Sequence, residues 1–129
     1  MDKYEKHILD TAMKAGSILL SSGAEIYRVE ETMKRILKYY GLVENGIFVL
    51  SNGIFFTSEN KQFEMYAKVS HIPFAGVHMK KIARVNELSR EIERGNYTVE
   101  ESLDELNKIE KITNKSMVET MMAYGAGAS

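Results

Sequence analysis

Between Gly41 and Pro73 the apolar pattern leaves helical spacing and becomes three short β-rich runs. That one switch confines the chain to helices packed against a small antiparallel sheet. On the N-terminal side, Ile8, Leu9, Ala12, Met13, Gly16, Leu19 and Leu20 recur at the spacing of one helix face, with Asp10, Lys14 and Ser17 opposite, and predict a helix over 3–21. Ser21-Ser22-Gly23 interrupts it. Ser22 offers a side-chain cap for a second helix running to Tyr40, with Gly41 as its stop and Ile26, Val29, Met33, Ile36, Leu37 and Tyr40 as its expected buried positions.

The β-rich runs cover 46–51, 54–58 and 63–70, and Asn52-Gly53 is a hairpin signal between the first two. In the third run Phe63, Met65, Ala67 and Val69 alternate with Gln62, Glu64, Lys68 and Ser70, which predicts an apolar side against the core and a polar side in water. Beyond Pro73 and Gly76, Ile82, Val85, Leu88 and Ile92 share one face of a third helix over 79–94, closed by Gly95. Thr98-Val99-Glu100-Glu101 then reads as a capping box that opens a fourth helix to about residue 112, burying Val99, Leu103, Leu106 and Ile109. The expectation is one α+β domain over 1–116, with about three antiparallel strands covered by about four helices.

A chain of 129 residues with 44% hydrophobic and 27% charged residues can build a core of its own. Its net charge of −1, with Lys and Glu interspersed, provides no field for nucleic acid, and no nucleic-acid partner is expected. The absence of cysteine removes disulfides, thiol nucleophiles and thiolate metal ligands together. No secretory signal pattern stands at the N-terminus. No stretch reaches the roughly 18 apolar residues of a membrane-spanning helix, but from Met117 the chain turns apolar and rich in small residues. Residues 117–129 are therefore expected to be a connector, or the start of a first transmembrane helix cut short by the end of the sequence. A tail of the domain is the competing reading.

Three segments carry a resemblance: Gly23-Ala24-Glu25-Ile26-Tyr27-Arg28-Val29-Glu30-Glu31-Thr32-Met33, then Ser51-Asn52-Gly53-Ile54-Phe55, then the run VNELSREIERG at 85–95. In content and order they resemble the N-terminal soluble domain of the threonine/serine exporter family, over roughly residues 10–112. There a glycine-acid-arginine-valine-glutamate helix, a strand with a tight turn and a leucine-serine-arginine helix precede a polytopic membrane domain. Ser51-Asn52-Gly53 departs from the Thr-Pro-Thr-Gly type of turn seen in many relatives. The resemblance implies a cytoplasmic domain of a cell-membrane exporter of small polar amino acids, with a gating, sensing or assembly role. Its implied partners are the exporter's own membrane domain, lying outside this chain, a second copy of itself, and a small amino acid or a dicarboxylate. A hydrolase-like enzyme domain acting on a small polar metabolite is the alternative.

The candidate ligand-binding residues are Glu25, Arg28, Glu30 and Asn86. Glu25 and Arg28 fall on one flank of the second helix's apolar face, with Thr32 beside them, and Glu30 falls on the other flank. One reading has Arg28 paired with Glu25 or a strand end, and Glu30 paired with Lys34 four residues on. The other has Arg28 at least half-buried and bonded beyond its own helix, its planar fork matched to a carboxylate. Asn86, on the flank of the third helix, can bond a solute or cap a strand end. Lys68 and Thr57 project from the sheet. His7, His71 and His78 form neither HxH nor HExxH, and no metal or cofactor is expected. No nucleophile elbow is present, and helical geometry separates Glu25 from Glu30, so the residues themselves give hydrolysis no catalytic set.

Overall fold

The computed structural model describes residues 1–43, 46–59 and 65–113. The chain is α+β. Four helices, α1 (Lys3–Ser21), α2 (Ile26–Tyr40), α3 (Met79–Glu93) and α4 (Val99–Glu110), enclose a core against a three-stranded antiparallel sheet, β1 (Gly46–Leu50), β2 (Gly53–Glu59) and β3 (Met65–His71), in the order β1-β2-β3. Residues 117–129 lie outside the described residues, as do Gln62, Phe63 and Glu64 of the expected third strand.

Helix α1 is the hub, packed against α2, α3, α4 and β2. It buries more than one face, from Ile8 and Leu9 through Ala12, Ala15 and Ile18 to Leu20. Its hydroxyls are satisfied locally, because Thr11 donates to the His7 carbonyl and Ser17 to the Met13 carbonyl. Gly16 lies where α2 and the sheet converge. A Cβ there would stand 2.5 Å from Met33 Sδ and 2.9 Å from Ile54 Cδ1.

The boundary between α1 and α2 differs from expectation. Ser22 ends α1 instead of capping α2, its amide donating to the carbonyls of Ile18 and Leu19, and Gly23 follows with φ +90°. Helix α2 therefore starts at Ile26, behind Glu25, which makes no side-chain cap bond. Ile26, expected in the core, is 41% exposed at this first turn. Val29, Met33, Ile36 and Leu37 are buried as their spacing predicts, and Gly41 stops the helix in the left-handed region. The capping box of α4 forms as read: the Glu101 amide donates to the Thr98 hydroxyl at 3.2 Å, and the Thr98 amide to the Glu101 carboxylate at 3.0 Å.

The hairpin register pairs Leu50 with Gly53, so the turn is Ser51-Asn52 and Gly53 already belongs to β2. A Cβ on Gly53 would lie 3.1 Å from the Ser70 carbonyl oxygen, so glycine serves close strand approach there, not turn geometry. The Asn52 carbonyl accepts from the Ile72 amide at 2.7 Å, fastening the turn to the end of β3.

The facing of β3 also departs from expectation. Ile54 pairs with Ser70 and Phe56 with Lys68, and Ile54 and Phe56 point into the core, so Ser70 and Lys68 lie on the inner side and Val69 on the outer. Lys68 is tolerated there because its stem can lie along apolar surface while its ammonium reaches Asp10 on α1 at 3.1 Å.

Candidate functional site

Glu25 and Arg28 lie at the exposed start of α2. Arg28 is exposed, not half-buried, and its guanidinium stands 5.6 Å from the ring centroid of Tyr27 on its own helix. Among the described residues it has no hydrogen bond or ion pair. Glu30 is half-buried on the opposite flank, and the expected Glu30–Lys34 pair does not form among the described contacts. The i,i+4 pair on this helix joins Glu31 and Arg35, at 3.2 Å. Asn86 is half-buried, and its backbone carbonyl accepts from the Ser89 hydroxyl.

The arginine that leaves its helix is Arg35. It donates to Ser89 Oγ at 3.1 Å and lies 3.6 Å from the Glu93 carboxylate, joining α2 to α3. The two helices start at the same end, because the amides of Ala75 and His78 donate to the carbonyls of Ser21 and Ser22. That common start and the Arg35–Ser89 bond place Asn86 near the level of Thr32, about one turn along from Arg28. Arg28 and Arg35 are seven residues apart and share a flank. A heptad reading would have found Arg35, but helical spacing alone cannot say which of the two has a partner.

The histidines do not converge. His7 lies 3.9 Å from Glu100 at the start of α4, while His78 caps the start of α3, accepting from the Lys81 amide through Nδ1. Among the described residues, no group of three His, Asp or Glu side chains could hold a metal ion.

Two features emerge that residue spacing did not single out. The first is a cleft of about 530 Å³ at the opposite end of the bundle from Arg28, where α1 begins, α2 ends and the α3–α4 connection enters α4. Tyr4, Tyr39, Tyr40 and Tyr97 line it together with Glu100 and Glu101. Tyr39 and Tyr40 meet edge to face with centroids 5.2 Å apart. The Tyr40 hydroxyl bonds the Tyr97 carbonyl at 2.8 Å and the Ser102 hydroxyl at 2.7 Å. Burial pushes the Tyr40 phenol above its ordinary pKa, and the nearby Tyr39, Tyr4 and Glu101 add to the rise while the Ser102 bond opposes it.

The second feature is the outer face of the sheet. Phe48 pairs with Phe55 and Phe55 with Val69, so three apolar side chains form one row across all three strands. Phe48 is 60% exposed, Phe55 42% and Val69 64%, with Leu50 beside them at 63%. Thr57 and His71 are the remaining described side chains on this face.

A family model described as "Putative threonine/serine exporter" (ThrE) matches residues 10–129. No curated protein and no solved structure shows a significant match to the chain.

Proposed function

The chain belongs to the threonine/serine exporter family, a family of membrane exporters, and from that premise we propose that it supplies a cytoplasmic module that docks on the exporter's membrane-embedded part and takes part in its gating, sensing or assembly. No helix among the described residues is long and apolar enough to cross a membrane. On this reading the pore belongs to that membrane-embedded part.

The observation that carries this reading is the exposed apolar row Phe48–Phe55–Val69 on the outer sheet face, with Leu50 beside it. Apolar patches of this kind mark sites of protein association. The occupant we assign is an apolar surface of the membrane-embedded part. A second copy is less well suited, because four side chains cover at most a few hundred Å², short of the roughly 800 Å² per partner of a stable free interface. A tethered partner needs less area, since the tether raises its effective concentration.

The test is threonine export by cells carrying the exporter with Phe55→Lys or Phe48→Lys. Export should fall while the isolated variants keep the thermal transition of the parent protein. Unchanged export with both variants would refute the docking role. A dimer of the chain in sedimentation analysis, dispersed by the same substitutions, would assign the face to self-association instead.

A further inference from the structure

The tyrosine-lined cleft lies far from Arg28 and plays no part in the docking reading. Its chemistry is one-sided: four tyrosine rings and the carboxylates of Glu100 and Glu101 line it, and no lysine or arginine does among the described residues. Aromatic faces carry negative potential and attract cations, and carboxylates add to the same field. The rings are also available. Tyr4 and Tyr39 are exposed, while Tyr40 is held by two hydrogen bonds and backs them as a fixed wall.

The helix start nearby does not reverse this preference. An open helix N-terminus favours anions, but α4 closes its own with the Thr98–Glu101 capping box, which places a carboxylate of the protein where an anion would go. Gly95 shapes the floor. It adopts φ +83°, and a Cβ there would come within 3.1 Å of the Tyr39 hydroxyl, so a larger residue would displace that ring.

We propose that the cleft formed by Tyr4, Tyr39, Tyr40 and Tyr97 with Glu100 and Glu101 is a binding site for a small organic cation, specifically an alkylated ammonium group. Such a group presents diffuse positive charge and apolar methyls to the rings and keeps its countercharge in the two glutamates. A zwitterionic amino acid fits less well, because its carboxylate meets no lysine or arginine among the described lining residues.

Titration of the chain with choline or tetramethylammonium, followed by tyrosine fluorescence and by the ring proton resonances, tests the assignment. Saturable binding is expected, with choline at least several-fold tighter than threonine. The neutral carbon isostere 3,3-dimethylbutan-1-ol should bind about three- to thirtyfold more weakly than choline if charge on the rings is what matters. Tyr4→Leu and Tyr39→Leu should each weaken choline by about two- to tenfold, while Tyr4→Phe, which keeps the ring, should stay within about twofold. Tyr4 is exposed, so its variants test the site without disturbing the core. Absence of saturable binding by either cation would overturn the proposal. So would equal affinity for the neutral isostere, or Tyr4→Leu and Tyr4→Phe behaving alike.

Discussion

Arg35 on α2 donates to the Ser89 hydroxyl on α3 at 3.1 Å, and Ser89 in turn donates to the Asn86 carbonyl. The guanidinium thus reaches a hydroxyl buried between two helices, with Glu31 and Glu93 beside it. Arg28, two turns earlier on the same flank, has only the Tyr27 ring among the described residues. Arg35→Ala is therefore expected to destabilise the fold by about 1–2 kcal/mol, since it removes a charged hydrogen bond to a buried hydroxyl. Arg28→Ala should stay within about 0.5 kcal/mol. Urea denaturation of both variants checks the contrast, and equal effects would contradict it.

The adjacent phenylalanines of β2 should respond in opposite ways. Phe56 is fully buried, and Phe56→Ala should cost about 3–5 kcal/mol through lost burial and the cavity left behind. Phe55 is on the outer face, and Phe55→Ala should cost less than about 1 kcal/mol. Thermal unfolding of the two variants separates them.

Gly16→Ala should overpack the junction of α1, α2 and β2, because the new Cβ meets Met33 Sδ and Ile54 Cδ1. A loss of about 1–3 kcal/mol is expected, despite alanine's better helix propensity. An increase in the urea midpoint would show that the junction has room.

Tyr40 should confer a stability that fails in alkali. Its phenol is held above the ordinary value of about 10, chiefly by burial, so the folded state keeps the proton longer than the unfolded state does. The contribution is fully present below pH about 10 and is lost as pH rises through the higher folded value. Tyr40→Phe should flatten that alkaline decline. It should also lower stability at neutral pH by about 1–2 kcal/mol, because the Tyr97 carbonyl and the Ser102 hydroxyl lose their partner.

Much of the fold was legible because it rests on interactions between near neighbours along the chain. The stop at Gly41, the capping box at Thr98 and the apolar spacing of Val85, Leu88 and Ile92 each involve residues within a turn or two, and each appears as read. The candidate site was less legible. Glu25, Arg28, Glu30 and Asn86 were chosen for residue type and flank, and no described bond joins their side chains. The tyrosines of the cleft come from α1, α2 and the segment before α4, so no local pattern announces them.

The sequence by itself determined the kinds of elements, their order and the α+β class, because helix and strand periodicity and most caps are written in residues a few positions apart. Tertiary structure decided the rest. Pairing of β3 with β2 sets which parity of β3 faces the core, and it put Lys68 inside and Val69 outside against the strand's own apolar alternation. The close approach of β3 gave Gly53 its role, and the offset between α2 and α3 gave Arg35 the partner that Arg28 lacks. Each of these outcomes depends on a residue from a distant part of the chain, and a one-dimensional pattern holds no term for such a contact.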